Sequence, residues 1–336
     1  MTVRVNKGSF NIREKLTELG RRFGLKGSEI MAAETVQEAR DLVSAGRKNL
    51  LINGSFQIWQ RSTDYENTTD SWNYYSVDRF RHNKGRYRQV TATVDGREVK
   101  ALEVSPSSGV YNGGRAFYHL LEDYKAYNKT TTISAYVKSD VPSSVEFGRI
   151  WNYDTSANVP GSGKTIQTTT TFQKFEVTNP SFDPNQPPGQ YVINELQDGV
   201  TYTIANVQLE IGKNATDFEY RSYGEELALC QRYYIQYATS SDFRFAVLRS
   251  NGSSTQSQLV AFPTTMRSVP DTKTVITQPT TAKLVRALDD TTGASYTTLS
   301  VNANTAHAYY VVANVALSNA AQILVFNAVY AFSAEL

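Results

Sequence analysis

The 336-residue chain has a single cysteine, three methionines, three histidines and almost no net charge. One cysteine excludes an internal disulfide framework and a Cys-rich zinc site. Cys230 falls at an apolar position of a helical pattern, which predicts a buried thiol. His82, His119 and His307 lie far apart with no local ligand pairing, so neither a metal nor a cofactor is expected. No stretch approaches the roughly 18–20 apolar residues that a helix needs to cross a bilayer. The N-terminus, MTVRVNKGSF, lacks the apolar run of a signal peptide. Synthesis in a cytosol without membrane insertion is the expectation. The formal charge is +2, and residues 1–48 carry ten basic against six acidic side chains. Those charges are mixed in sign and sit on predicted helices, so no nucleic-acid partner is expected; that would need a basic stripe or run.

Catalytic motifs are missing as well. PGSGKT (160–165) looks like a phosphate loop, but the position five before Gly163 is Asn158 where glycine is required. The residues after it are strand-like, whereas a phosphate loop opens a helix. A turn between strands is the better reading. There is no G-x-S-x-G elbow. The adjacent carboxylates Glu122-Asp123, Glu225-Glu226 and Asp289-Asp290 do not by themselves make a glycosidase pair, which needs two carboxyls across a cleft. No catalytic residue is assigned, and no enzyme is expected.

The residues the sequence does hold in number are aromatic and β-forming. Apolar residues make up 40%, with 21 tyrosines and 15 phenylalanines, enough for packed cores and biased towards strands. Residues 131–138 (TTISAYVK), 165–177 (TIQTTTTFQKFEV) and 200–211 (VTYTIANVQLEI) alternate as strands do. The last contains a phase slip. Val200, Tyr202 and Ile204 occupy even positions, and Val207, Leu209 and Ile211 odd ones, which predicts a β-bulge near Ala205-Asn206. SPSSG (105–109), NVPGSG (158–163) and NPSFDPNQPPG (179–189) mark loops. Many short strands between turn clusters argue for an antiparallel sandwich.

Helical patterns flank this region. Residues 1–48 read as short helices presenting Ile12, Leu16 and Leu19, then Leu42 and Val43 beside Val36 and Ala39. Such helices are too short to stand alone in water and need a docking partner. Ser222 and Glu225 form an S-x-x-E capping box. Tyr223, Leu227, Cys230, Tyr234 and Tyr237 then come at heptad-like spacings. A connector helix over 222–238 either packs this seam on its own sandwich or self-associates around a symmetry axis. Beyond it, residues 236–336 hold 11 charged side chains. AYYVVANVAL and ILVFNAVYAF read as a final hairpin with two apolar faces, one for the core and one for a neighbouring subunit.

Two aromatic clusters suit sugar binding. DSWNYYSVDRF (70–80) and IWNYD (150–154) place Trp72, Tyr74, Tyr75, Trp151 and Tyr153 beside Asn and Asp. Sugar rings stack C–H faces on aromatic planes, while amides and carboxylates take hydroxyls. The alternative is that these aromatics are core residues of strands.

Several stretches together resemble tail-fibre and related receptor-binding proteins of tailed bacteriophages, those of cyanophages and other marine phages especially. NLLINGSFQIWQR (49–61) and SVDRF (76–80) are similar to the opening of their carbohydrate-binding-module-like jelly roll. VQLEIGKNATDFEYRSYGEELALCQRYY (207–234) resembles the closing strand and the helix after it. FPTTMRSVP (262–270) and AFSAEL (331–336) resemble the C-terminal β domain, and VNKGSFNIREKLTEL (5–19) an N-terminal attachment segment. The family more often reads NGDF where Ser55 stands and DRW where Phe80 stands. The resemblance implies a mainly β virion protein, commonly a homotrimer. Residues 1–48 would attach to tail or adaptor proteins, 49–221 form the jelly roll, 222–238 connect, and 239–336 form a C-terminal β-sandwich. Host-surface polysaccharide is the implied partner, bound without catalysis. A purely structural virion protein and a glycan-degrading tailspike are the competing functions, although the long repeat of a β-helix is missing.

Overall fold

The computed structural model describes residues 49–334, except 70–75, 108–115, 122–128, 153–155, 182–187, 238–242, 249–254 and short stretches between 271 and 328. The expected docking residues Ile12, Leu16, Leu19, Leu42 and Val43 lie outside the described residues. The chain is mainly β, and its first part is an antiparallel sandwich of the jelly-roll kind. In chain order its strands are β1 (Asp64–Asn67), β2 (Phe80–His82), β3 (Gly85–Val94), β4 (Arg97–Pro106), β5 (Phe117–Leu120), β6 (Thr131–Ser139) and β7 (Ser143–Phe147). They continue as β8 (Ile150–Asn152), β9 (Ala157–Asn158), β10 (Lys164–Thr168), β11 (Gln173–Asn179), β12 (Pro188–Asn194) and β13 (Tyr202–Ile211). The first sheet runs β1-β3-β4-β13-β6-β11. The second runs β10-β7-β12-β5-β2, with β8 added beside β12 and β9 beside β8. PGSGKT is a turn leading into β10, as the sequence indicates, with Gly161 and Gly163 both at φ +75°.

Alternation along the strands fills the space between the sheets. Tyr87, Leu102, Val104, Ile133, Val137, Tyr202 and Ile204 come from the first sheet, and Phe80, Phe117, Phe147, Val192 and Ile193 from the second. Phe80 and Phe117 stack at 4.6 Å between ring centres, and Phe56 sits 5.4 Å from Phe80. Full burial of such rings is the main stabilising term. The β3–β4 hairpin closes through Asp95-Gly96 at φ +48° and +77°, the two-residue turn that right-twisted strands favour.

The phase slip in β13 is a bulge. Ala205 pairs with Tyr136, but the next pair is Gln208 with Ser134, so β13 carries one extra residue. Asn206 absorbs it at φ +52°. Tyr202 and Ile204 before the bulge and Val207 and Leu209 after it therefore face one core. The bulge is also an anchor: the Val207 amide donates to the Gly54 carbonyl at 2.9 Å. A Cβ on Gly54 would stand 2.1 Å from the Val207 carbonyl oxygen, so the NGSF stretch needs glycine there.

Helix α1 (Tyr223–Gln231) opens on Ser222, whose hydroxyl accepts from the Glu225 amide at 3.3 Å. The helix is shorter than its pattern suggests, and this corrects the seam. Arg232 caps it, and Tyr234–Tyr237 is strand β14. Tyr234 and Tyr237 therefore leave the helix, and the side chain of Tyr237 lies outside the described residues. Tyr223 is 59% exposed, while Cys230 is fully buried against Ile52, Ile58, Leu229 and Tyr233, with Leu227 at the edge. Of the two readings, this geometry matches packing on its own sandwich.

The joint between sandwich and helix is built from buried polar groups. Arg221 donates to the Leu51 and Asn49 carbonyls and pairs with Glu226 at 3.2 Å. Glu226 Oε1 also accepts from the Asn53 amide at 2.5 Å. The Arg79 guanidinium donates to the Leu120 carbonyl at 2.8 Å and lies 3.4 Å from the Tyr233 ring centre. Arg61 pairs with Asp78 and stacks on Tyr234 at 3.4 Å. The NGSF and DRF stretches thus clamp α1 and β14 onto the sandwich.

The C-terminal region is antiparallel β. Beyond β14 it contains β15 (Phe243–Leu248), β16 (Thr255–Ala261), β17 (Thr272–Thr277), β18 (Ala282–Arg286) and β19 (Thr292–Ser295). It ends with β20 (Leu299–Ala303), β21 (Ala308–Asn314), β22 (Gln322–Phe326) and β23 (Val329–Ser333). They form sheets β14-β23-β17, β15-β22-β18-β19 and β16-β21-β20. The expected final hairpin is therefore not formed. AYYVVAN pairs with β16 and β20, and ILVFNAVYAF divides between two sheets.

Candidate functional site

The outer face of the second sheet carries a cross-strand row of large side chains. In β5 the odd residue Phe117 points into the core, so Tyr118 and Leu120 point outwards. Registers then place Arg81 opposite Tyr118, and Tyr118 opposite Tyr191. The next row runs Leu120, Gly189, Trp151 and Asn158. Gly189 contributes no side chain between Leu120 and the indole of Trp151.

The rings touch edge to face. Tyr118 and Tyr191 lie 5.2 Å apart at 63°, and Tyr191 and Trp151 6.4 Å apart at 78°. The Arg81 guanidinium is 5.7 Å from the Tyr118 ring centre. Tyr118 and Tyr191 are 3% and 8% exposed and form the base of the row. Trp151 and Arg81 are half-buried and form its accessible part. Further along the face, Asn194 donates to Glu146 at 3.2 Å, and Glu146 pairs with Arg149. An aromatic base flanked by amide, carboxylate and guanidinium groups can stack a sugar ring and take its hydroxyls.

Of the glycan-binding candidates read from the sequence, only Trp151 lies among the described residues. Trp72, Tyr74, Tyr75 and Tyr153 lie outside the described residues. Arg81, Tyr118 and Tyr191 were missed. The alternation in FYHL (117–120) carried the signal, since one aromatic of the pair had to face outwards.

The two described histidines are not ligands of this face. His82 stacks on Tyr87 at 3.8 Å, and burial pushes its imidazole down to about 3. The His119 Nε2 accepts from the Ile52 amide at 3.3 Å, and burial holds it well below the usual histidine range. Among the described residues no cluster of His, Cys, Asp or Glu could hold a metal ion. No described helix is long and apolar enough to cross a membrane.

No protein-family model matches the sequence, and no curated protein does. Solved structures similar to part of the chain include a CBM4 structure, 19% identical, covering 48% of this chain and 98% of its own, at a TM-score of 0.31. Another is the CBM22-1 xylan-binding domain of Paenibacillus barcinonensis Xyn10C, 14% identical over 45% of this chain and 91% of its own, at 0.31. The enzymatically active domain of tailspike protein 4 of bacteriophage CBA120 is 14% identical over 48% of this chain and 21% of its own, at 0.33.

Proposed function

We propose that the chain is a tail-fibre or tail-associated adhesion protein of a phage virion, and that it binds host-surface glycan without catalysis. The observation that carries the glycan reading is the Arg81–Tyr118–Tyr191–Trp151 row on the outer face of the second sheet. Trp151 supplies the stacking plane, and Tyr191 and Tyr118 hold it from behind. Arg81 offers donors at the other end of the row. The resemblance of residues 5–19, 49–61 and 207–234 to phage structural proteins supports the virion setting. In that setting residues 1–48 attach to tail or adaptor proteins, and the protein is made in the host cytoplasm. Three copies in a homotrimer would join three weak sites and raise avidity without new contacts.

The test is binding of the full chain to an array of bacterial surface polysaccharides, with Trp151→Ala beside it. Binding that falls about tenfold or more, at unchanged thermal midpoint and oligomeric state, supports the assignment. Undiminished binding would sink this face as the site. Release of oligosaccharides from a bound polysaccharide would overturn the non-catalytic part.

A second reading, a structural virion protein without glycan binding, is favoured by the burial of Tyr118 and Tyr191. It predicts no retention on any polysaccharide, together with normal incorporation into particles.

A further inference from the structure

Strand β4 pairs with β3 along its whole length, but with β13 only at Leu102, Glu103 and Val104. Past the bulge, that edge of β13 is taken by residues 49–54. The Val207 amide donates to the Gly54 carbonyl and the Leu50 amide to the Leu209 carbonyl, both at 2.9 Å. β4 and β13 therefore part like a fork. A cleft of about 330 Å³ lies there, lined by residues 97–100 of β4 and by Ser55, Gln57, Asn206 and Tyr220. It shares no residue with the aromatic row on the second sheet.

The register fixes which backbone groups face the fork. The two-residue turn at Asp95-Gly96 makes Val94 and Arg97 a hydrogen-bonded pair, so the bonded pairs continue at Ala92 with Val99 and Val90 with Ala101. The Gln89 amide agrees with this phase: it points the other way and donates to the Thr63 carbonyl at 2.9 Å. The N–H and C=O groups of Glu98 and Lys100 consequently point away from β3, towards the fork. Among the described residues no other segment bonds them, and both residues are exposed, which leaves four backbone groups open to solvent.

The side chains alternate about this edge. Arg97 and Val99 lie on the face of Tyr220, with the guanidinium 4.5 Å from the ring centre, and Glu98 and Lys100 lie on the opposite face. A compact ligand on one face reaches only one of these sets. An extended backbone in the plane of the sheet borders both, because its own side chains alternate in the same way. Charges along an edge keep unmatched strands away. Here they read positive, negative, positive at Arg97, Glu98 and Lys100, so the strand admitted is one that carries the opposite signs in register.

We propose that this fork is a docking edge for a short extended segment of a partner protein, added antiparallel to β4. Acidic residues of the segment stand opposite Arg97 and Lys100, and a basic one stands opposite Glu98. The backbone groups of Glu98 and Lys100 hold the segment, and the charges select it. Antiparallel addition is the more stable of the two directions.

The test is amide exchange of the full chain with the end-capped synthetic peptide TEVKET and with its charge-reversed counterpart TKVEKT. TEVKET should slow exchange of the Glu98 and Lys100 amides about tenfold once it is about ten times above its Kd, with the second sheet unchanged. TKVEKT should protect neither amide. Arg97→Glu with Lys100→Glu should exchange the two preferences, and both side chains are exposed, so the fold is kept. No protection by TEVKET, equal protection by both peptides, or a preference that survives the double substitution would each overturn the proposal. So would protection of the two amides that rises with protein concentration in the absence of peptide, which would assign the edge to a second copy of this chain.

Discussion

The sandwich interior and the joint beneath α1 are both closed to water, but they are held by opposite chemistry. The interior is phenylalanine, valine, leucine and isoleucine around Phe56, Phe80 and Phe117. The joint is Arg79, Arg221, Glu226, Asp78 and Asn53, each 8% exposed or less. Apolar contacts are non-directional and tolerate repacking. Buried charges are directional, and each depends on a named partner. The interior can therefore specify a layered architecture, whereas the joint specifies one orientation of α1 and β14 on it.

The largest effects should come from truncation in either region, with different rescues. Phe117→Ala is expected to cost about 3–5 kcal/mol in urea unfolding. Glu226→Ala should cost a similar amount, because the buried Asn53 amide and Arg221 both lose their shared acceptor. Glu226→Gln keeps an acceptor for the Asn53 amide and Arg221, and burial pushes the Glu226 carboxyl up in any case. It should recover more than half of the loss. Equal losses for Ala and Gln would show that the charge itself, not the hydrogen bonding, secures the joint.

Acid comes next. His82 stacks on Tyr87 at the rim of the interior, and His119 faces the joint. Both fold with depressed pKa values, His82 at about 3. Between pH 6.5 and about 3 the unfolded chain binds the His82 proton and the folded chain does not, and His119 is likewise protonated more readily in the unfolded chain. Stability present above 6.5 should thus fall as pH drops, by about 1.4 kcal/mol per pH unit for His82, with His119 acting in the same direction. Glu226 acts in the opposite sense, since its raised pKa favours the folded state in acid and loses that contribution as pH rises. Urea midpoints from pH 7 to 4 should slope accordingly, and His82→Phe should flatten the slope. An unchanged slope would show that His82 is protonated in the fold.

A smaller effect is expected at the bulge. Asn206→Ala removes the amide that lets asparagine tolerate left-handed backbone and should cost about 1–2 kcal/mol, against a smaller loss for Asn206→Gly, which suits that backbone but also gives up the bond to Tyr220. The smallest belongs to Tyr223→Ala. With Tyr223 59% exposed, its loss should stay within about 0.5 kcal/mol and leave the sedimentation behaviour of the full chain unchanged. A change of oligomeric state would reinstate a self-associating seam.

Where the sequence could be read, the reason was local. The even-to-odd slip in VTYTIANVQLEI located the bulge, because a period of two admits no other way to keep both halves in one core. Ser222 and Glu225 located the start of α1. Its end was not legible: YYIQY fits a helical seam as well as a strand, and the strand prevails because β23 offers a pairing edge almost a hundred residues away. The same holds for the C-terminal runs, whose apolar residues suit any neighbour. At the candidate site, Trp151 stood out as a tryptophan beside Asn, but Arg81, Tyr118 and Tyr191 are far apart in the chain and gain meaning only as cross-strand partners.

By itself the sequence determined that this is a β protein with a capped helix, a bulged strand and no disulfide, since periodicity, capping and cysteine number are properties of short stretches or of the whole composition. The tertiary structure alone decided which strands pair, which tyrosines face outwards together and which charges are buried against one another. Pairing energies between distant segments depend on register and on what else is already packed, and neither is written in any local pattern.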